Sequence, residues 1–404
     1  MKKISVSACI LIIVVIASIF QSCGEKHAKQ TNPITTYHIT DYINQDTLLY
    51  LNDFASDIKY IKLETNDSCY LGGIVQLDFC ADNLFILDDQ LIISRFDDQG
   101  HYLNSIGHIG SGPGEFKKPY SFALFPKEQL IVVYDIAQLK SIVYSFDGKY
   151  QNEFRVSSFP IRIAALGDSL IAAVIPFPEI ASNDFCAISI YSISGDSVGS
   201  VINRKSELQS RDYDRNTPIE GRIQLQQKPN GLFFWEMGLD TMYAISNEGK
   251  VFYNYIVSNS RSESVTASKG IGDEGIWYGR IIDSKRYIFV SPCIVNSKIR
   301  HLVIDKHTGR GYNYMVYNDM SQSMQLKIGL ENNIDGGWPI NPVKATSEGK
   351  FYTTFFGHEL KALLNTGFFS KQVVNNTSKR NELDSLLSVS GVLDNPIIMI
   401  ITEK

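Results

Sequence analysis

The sequence predicts an all-β fold, a six-bladed β-propeller, and three observations support that prediction. Short apolar segments recur along the chain, and most are followed by a hairpin-type turn at intervals of roughly 47 to 60 residues. The chain has 21 tyrosines and 22 phenylalanines but only 3 tryptophans, and aromatic residues suit pleated sheets. Only residues 382–387, after Asn381, have the pattern of a helix.

Six apolar segments are each predicted to open one repeat. Their length and composition are typical of strands. They are residues 84–87, 130–133, 170–174, 232–235, 287–290 and 351–355.

The turns that follow are rich in Asp, Asn and Gly, because the chain must adopt positive φ at such turns. The turn glycines are Gly100, Gly148, Gly195, Gly249 and Gly309. A stack of β-sandwiches is the alternative architecture, but separate sandwiches would not share one repeat from residue 84 to beyond residue 350.

A glycine-rich segment, residues 107–116, joins the first run of strands to the next. Its four glycines and Pro113 cannot continue a helix or a sheet, which predicts a tight exposed corner. A phosphate cradle is the alternative, but no Lys-Ser/Thr pair follows Gly112 and Pro113 lacks an N–H. The segment is therefore interpreted as a turn between repeats.

The two ends of the repeat region are predicted to pair. Residues 57–64 alternate between polar and apolar side chains, and residues 397–401 form a final apolar strand. Propellers often close by placing one terminus in the blade begun by the other, which removes an open sheet edge.

The first 22 residues resemble a bacterial lipoprotein signal. Lys2 and Lys3 precede an apolar run over residues 4–20, and Cys23 follows. The resemblance implies cleavage before Cys23, lipidation of that cysteine and attachment to a membrane. The predicted organisation is a signal peptide (1–22), a lipidated flexible tether (23–45) and a propeller domain (46–404); a retained membrane anchor is the alternative reading of the apolar run.

Five segments carry a family resemblance: residues 60–65, 84–88, 106–116, 335–339 and 394–398. Together they resemble the six-bladed β-propeller lipoproteins of Bacteroidetes, which are related in architecture to NHL and TolB propellers. The resemblance covers roughly residues 46–404 and implies an outer-membrane lipoprotein. Periplasmic orientation is favoured because no acidic run follows Cys23.

The cysteines beyond Cys23 form no CxxC pair, which argues against a zinc site. Cys186 and Cys293 are predicted to be small core residues. Cys69 and Cys80 either form a disulfide in an oxidising compartment or remain as thiols.

The net charge of −5 offers no basic excess for a phosphate backbone, so nucleic acid is not an expected partner. The predicted function is a binding or scaffold module for a protein, peptide or glycan. Loops on a rigid scaffold often bind ligands, and tryptophan offers an apolar stacking face. The candidate ligand-binding residues are Asp335, Gly336, Gly337 and Trp338, together with Trp277 and Tyr278. Packing of Trp338 under its loop is the alternative interpretation, and the same alternative holds for Trp277 and Tyr278.

A metal-dependent hydrolase or lyase is the alternative function, with Ca²⁺ held at the central channel. Five aspartates that follow strands could converge there, or could simply form turns. They are Asp88, Asp89, Asp135, Asp240 and Asp335. Clustered carboxylates and histidines at one mouth of the channel would favour the enzyme, whereas aromatic side chains and backbone amides would favour binding.

Overall fold

The computed structural model describes most of the chain from residue 34 onward. The described residues are 34–156, 159–175, 186–203, 223–236, 241–258, 276–278, 280–295, 298–314, 316–317, 327–340, 342, 345, 350–365 and 373–404. They form six antiparallel sheets, the blades of a β-propeller, so the predicted fold is confirmed. Cys23 and the predicted signal peptide lie outside the described residues.

The strands are numbered in chain order, and the first two, β1 (Thr36–His38) and β2 (Ala55–Lys62), precede the first complete blade. Blade 1 contains β3 (Ile74–Cys80), β4 (Asn83–Asp88), β5 (Ile93–Asp97) and β6 (Tyr102–Ser105). Blade 2 contains β7 (Pro119–Phe125), β8 (Leu130–Asp135), β9 (Lys140–Ser145) and β10 (Tyr150–Arg155). Blade 3 contains β11 (Arg162–Leu166), β12 (Leu170–Val174), β13 (Cys186–Ser192) and β14 (Ser197–Asn203).

The last three blades depart from this regular pattern. Blade 4 contains β15 (Ile223–Lys228), β16 (Gly231–Glu236), β17 (Thr241–Ser246) and β18 (Val251–Ser258), and β1 adds to β18 in parallel. Blade 5 contains β19 (Ile276–Tyr278) and β20 (Ile281–Asp283), which both pair with β21 (Tyr287–Val295), then β22 (Lys298–Asp305) and β23 (Gly311–Asn313). A two-stranded ribbon, β24 (Val316–Tyr317) and β25 (Lys327–Ile328), precedes blade 6.

Blade 6 joins the two ends of the chain. It contains β26 (Phe351–Phe355), β27 (Ile397–Glu403) and the early strand β2, in the order β2-β27-β26. Ile58 lies opposite Ile401 and Lys62 opposite Ile397. The predicted closure of the ring is therefore confirmed, and β27 has a hydrogen-bonded partner on both sides.

Six apolar clusters fill the six interfaces between neighbouring blades. The second strand of a blade contributes to two of them, because alternate side chains point to opposite faces of the sheet. In β4, Phe85 and Leu87 pack toward blade 2, whereas Leu84 and Ile86 pack toward blade 6. Burial on both faces explains why these strands are continuous apolar runs.

The repeat boundaries differ from the prediction by one strand. Five of the six apolar segments expected to open a repeat lie in the second strand of a blade, β4, β8, β12, β16 and β21, and the sixth lies in β26, an edge strand of blade 6. In blades 1 to 5 an innermost strand precedes them. In β3, β11 and β15 this strand mixes buried with accessible positions, so its sequence signal is weaker than that of the apolar second strand.

The predicted turn glycines share one position in the blades, the hairpin between the third and fourth strands. All five have positive φ, between 66° and 98°. They are Gly100, Gly148, Gly195, Gly249 and Gly309. The repeat inferred from their spacing is therefore real.

The glycine-rich segment links β6 of blade 1 to β7 of blade 2, as predicted for a turn between repeats. The carboxylate of Glu115 holds it together, accepting a 2.7 Å hydrogen bond from the Gly112 N–H and lying 2.9 Å from Nε2 of His108. The Tyr144 hydroxyl donates to the carbonyl of Gly114 at 2.8 Å. These contacts fix the corner by internal bonds.

The helix predicted at residues 382–387 is longer than expected, spanning Thr377–Ser388. Its N-cap is Asn376 rather than Asn381, and the Asn376 side chain accepts a hydrogen bond from the Lys379 N–H at 3.1 Å. A second helix, Gly357–Asn365, packs beside it and was not predicted. In the described part of the chain, no helix combines the length and hydropathy needed to cross a membrane.

The predicted tether ends earlier than residue 45. Residues 36–38 pair with blade 4, Ile39 is buried in the cluster between blades 4 and 5, and Ile39–Asp41 forms a short 3-10 helix. The alternatives for Cys69 and Cys80 are also settled, since both are buried free thiols.

Candidate functional site

A polar cavity of about 760 Å³ occupies the centre of the ring. Residues of β3, β7, β11 and β15 line it, and blades 5 and 6 contribute Arg280, Ile282, Ala345 and Tyr352. All six blades therefore contribute to the lining of one cavity, which we call the central channel. Its volume falls within the range of small-molecule sites, roughly 300 to 1,000 Å³.

The innermost strands present one hydrogen-bonding edge that no neighbouring strand covers. Unpaired backbone groups are costly when buried, so other partners must satisfy them. Gln76 of blade 1 does so for β7: its Oε1 accepts from the Phe122 N–H at 3.1 Å and its Nε2 donates to the Phe122 carbonyl at 2.8 Å. On β11, the Gln227 amide donates to the Ala165 carbonyl at 3.0 Å. Side chains thus join adjacent blades around the channel.

One end of the channel contains a compensated charge cluster. Lys228 lies at the end of β15, with its Nζ 2.9 Å from Oδ2 of Asp283. Lys306 lies 2.8 Å from Oδ1 of the same carboxylate, and the Tyr255 hydroxyl donates to it at 3.0 Å. Burial lowers the pKa of Lys228, and the carboxylate partly opposes that effect. This cluster links blade 4 to blade 5 through ion pairs and a hydrogen bond among its own residues.

The other end of the channel carries two guanidinium groups. Arg162 is the first residue of β11, and Arg280 directly precedes β20. The innermost strands of a propeller start at the same face of the ring, so both arginines belong to one end. Asp78 of β3 and the buried phenol of Tyr352 lie near Arg162: burial raises the pKa of Tyr352, Asp78 raises it further and Arg162 lowers it.

The predicted loop at Asp335–Trp338 is packed against the ring. Asp335 is fully buried, and its carboxylate accepts hydrogen bonds from the Tyr60 hydroxyl at 2.5 Å, the Asn332 side-chain amide at 2.6 Å and the Gly337 N–H at 2.8 Å. Burial raises the pKa of Asp335, and these donors lower it. The Asp335 carboxylate therefore fixes the conformation of its own loop through these hydrogen bonds.

Trp338 is half-buried in the same loop. Its ring stacks on Phe355 with a centroid separation of 5.4 Å and an interplanar angle of 13°. One face of the indole is thus used for packing. Ligand binding by Asp335, Gly336, Gly337 and Trp338 stays a prediction.

The aromatic pair Trp277 and Tyr278 lies on β19 of blade 5. Trp277 is opposite Ile294 and Tyr278 is opposite Cys293. For both residues the structure describes the position of the backbone. Their predicted role in ligand binding also stays a prediction.

The aspartates considered as metal ligands form turns where they are described. Asp88 accepts hydrogen bonds from the N–H groups of Gly72, Gln90 and Ile92. Asp135 likewise accepts from four backbone N–H groups of the loops beside β8. Asp240 lies outside the described residues. Among the residues that the structure describes, no three His, Cys, Asp or Glu side chains form a group able to hold a metal ion.

The channel residues were missed because each is a single polar residue in an alternating strand. The sequence does contain one signal, the polar run from Gln224 to Lys228 directly before the apolar strand β16. A strand that precedes a fully buried strand is the innermost one of its blade, and its polar residues can face the channel. Recognising the correct repeat boundary would have identified them.

Comparison with known proteins places the chain in a family. The family model "Domain of unknown function (DUF4934)" matches residues 34–402. The chain belongs to the DUF4934 family. The DUF4934 match includes the N-terminal segment that packs against blade 4 as well as the whole ring.

Two solved structures similar to the chain come from Bacteroides species. A Bacteroides fragilis protein proposed to be exported is 21% identical over 92% of this chain and 100% of its own, with a TM-score of 0.64. A DUF4221 family member from Bacteroides vulgatus is 13% identical over 72% of this chain and 94% of its own, with a TM-score of 0.43. No curated protein matches the chain.

Proposed function

We propose that this DUF4934 chain is a cell-envelope binding module whose ligand occupies the central channel. The observation that carries the proposal is the cavity of about 760 Å³ lined by all six blades. Side chains such as Gln76 and Gln227 satisfy parts of the inner strand edges without filling the space between them. A concave, largely preformed cavity in which a few polar groups converge is the usual form of a small-molecule site.

The proposed location is the outer membrane, with the propeller facing the periplasm. The segment before Cys23 resembles a lipoprotein signal, and the structurally similar B. fragilis protein is proposed to be exported. A lipid on Cys23 would attach the module to the membrane while leaving the ring in water. The proposed ligand is a small molecule or the end of a glycan or peptide, given the size of the channel.

A matched pair of tryptophan substitutions tests the channel as the binding site. Val75 lines the channel and is 56% exposed, whereas Val198 is 53% exposed on the outer strand of blade 3. Both sites accept a larger side chain without disturbing a core. Val75→Trp should obstruct the channel, and Val198→Trp should not.

The full-length protein and both variants would be screened by thermal shift against monosaccharides, oligosaccharides and short peptides. We expect a ligand that raises the Tm of the wild type and of Val198→Trp but not of Val75→Trp. Equal stabilisation of Val75→Trp would place the binding site elsewhere and contradict the proposal. The loop around Trp338 would then be the next candidate.

A further inference from the structure

Gln226 leaves a buried acceptor unpaired inside the channel. The residue is 6% exposed and lines the cavity, and its Oε1 has no hydrogen-bond partner in the described part of the chain. A buried acceptor without a donor costs roughly 1 to 3 kcal/mol, so such an atom calls for a donor that the described chain does not supply, such as a water or a ligand. Of the buried unpaired side-chain atoms that the structure describes, Gln226 Oε1 is the one contributed by a channel-lining residue.

The direction of this side chain follows from its neighbours on β15. Successive side chains of a strand point to opposite sides. Gln227 reaches blade 3 through the Ala165 carbonyl, whereas Lys228 reaches blade 5 through Asp283. Gln226 shares its side with Lys228 and therefore faces blade 5.

Arg280 stands at the start of the innermost strand of blade 5 and lines the same cavity. In the described ranges, its guanidinium makes no hydrogen bond or ion pair. Lys228, by contrast, forms an ion pair with Asp283. Arg280 is therefore the channel-lining cation of this wall that has no ion-pair partner among the described residues.

These two groups define complementary chemistry. A guanidinium presents a planar fork of donors that pairs with a carboxylate through two hydrogen bonds. The carbonyl oxygen of a glutamine accepts only from an O–H or N–H group. An anion therefore fits the Arg280 guanidinium better than a cation does.

We infer that the channel binds a small hydroxylated carboxylic acid, such as an acidic monosaccharide, with its carboxylate on Arg280 and a hydroxyl on Gln226. This inference rests on the proposed function, since it names the ligand class of the same cavity. The cavity of about 760 Å³ accommodates a molecule of that size.

The test compares D-glucuronate with D-glucose, which has the same ring without the carboxylate. Calorimetric titration would use the full-length protein, Arg280→Gln and Gln226→Leu. Two exposed strand residues supply matched controls, Arg155→Gln and Gln151→Leu. We expect glucuronate to bind the wild type and both controls, and its affinity to fall about tenfold or more in Arg280→Gln and in Gln226→Leu.

A second measurement is independent of the chosen probe. Gln226→Leu replaces an unpaired buried carbonyl with an apolar group of similar size, so the Tm without ligand should rise. A lower Tm would show that Gln226 Oε1 is satisfied in solution and would overturn the inference. Glucuronate that fails to bind, or binds Arg280→Gln as tightly as the wild type, would also overturn it.

The possible outcomes distinguish the inference of an acidic ligand from the proposal that a ligand binds in the central channel. A neutral sugar that binds the wild type, is blocked in Val75→Trp and is unaffected in Arg280→Gln would retain channel binding and reject the acidic ligand class. Glucuronate that binds Val75→Trp and the wild type equally would reject the channel itself.

Discussion

The Tyr60 hydroxyl donates a 2.5 Å hydrogen bond to Oδ2 of Asp335, joining the N-terminal strand of blade 6 to a loop 275 positions away. Burial and the nearby carboxylate raise the pKa of Tyr60 well above its usual range, so the phenol is the donor. Burial raises the pKa of Asp335, while the bond from Tyr60 opposes that rise. The two groups therefore stabilise the loop as a coupled pair.

Removing this donor should destabilise the protein by roughly 1 to 3 kcal/mol. In Tyr60→Phe the folded-state pKa of Asp335 rises further. A raised folded pKa gives stability that is present below the unfolded pKa and lost as pH rises through the folded pKa. The loss should therefore be larger at about pH 8 than at about pH 4. Denaturant unfolding at both pH values tests this, with the half-exposed Tyr150→Phe as the control; a pH-independent loss would contradict it.

Two turn glycines at equivalent positions should respond differently to alanine. Gly100 has φ of 94°, and an added Cβ would lie 2.3 Å from the Lys62 carbonyl oxygen of blade 6. Gly309 has φ of 66°, and its Cβ would meet nothing within 4 Å. Gly309→Ala should cost about 1 kcal/mol from backbone strain alone, and Gly100→Ala about 3 kcal/mol because of the added clash. Equal losses in urea unfolding would show that contact between blades at this turn is unimportant.

Glu403 should be needed for the joint between blades 5 and 6. Its carboxylate accepts hydrogen bonds from the Ser284 hydroxyl and from the N–H groups of Lys285 and Arg286, at 2.7 to 2.8 Å. Glu403→Ala leaves these donors without their partner and should cost roughly 2 kcal/mol. Thermal unfolding should show a clear drop in Tm, whereas Glu359→Ala, at an exposed helical position, should change it little. Similar Tm values for both variants would contradict a stabilising role of Glu403 between blades 5 and 6.

Trp338→Ala separates packing from recognition in the predicted ligand-binding loop. The indole stacks on Phe355 and is half-buried, so truncation should cost about 3 kcal/mol, the low end for aromatic side chains. Trp338→Phe keeps a stacking ring and should recover most of that stability. Unchanged stability in Trp338→Ala, together with weaker ligand retention, would instead support the binding role predicted from the sequence.

Cys23→Ala tests the proposed lipid anchor. The thioether-linked lipid cannot form on alanine, so the protein should leave the membrane fraction or accumulate with its signal uncleaved. Fractionation and immunoblotting of cells measure both outcomes, and Cys69→Ala serves as the control because that thiol is buried in the ring. Normal processing and normal membrane fractionation of Cys23→Ala would contradict lipidation.

The fold was predictable because its strongest signals are local. The second strands are buried on both faces, as Leu84 and Phe85 of β4 illustrate, and therefore appear as apolar runs. Turns such as Gly100 require positive φ and therefore favour glycine. The exact blade boundary was not predictable from these signals, because the innermost strands mix polar and apolar residues.

The site was harder to predict because its residues converge only in the closed ring. Gln226 and Arg280 lie on different blades, and neither has a distinctive sequence context. At the loop of Asp335 the sequence left packing and ligand binding open, because the contact that buries Asp335 comes from Tyr60, which is far away in the chain. Local composition cannot reveal partners that are far away in the chain.

The closure of blade 6 has a consequence for biosynthesis. Ser56 donates a hydrogen bond to the Thr402 carbonyl, 346 positions later. Strand β2 is therefore synthesised long before β27, the strand with which it pairs. Contacts of such long range carry a high entropic cost and slow folding. Until β27 is translated, β2 lacks its partner strand, and its unpaired backbone N–H and C=O groups can pair with other chains. A nascent chain of this design therefore has an unpaired β2 edge until β27 has been synthesised.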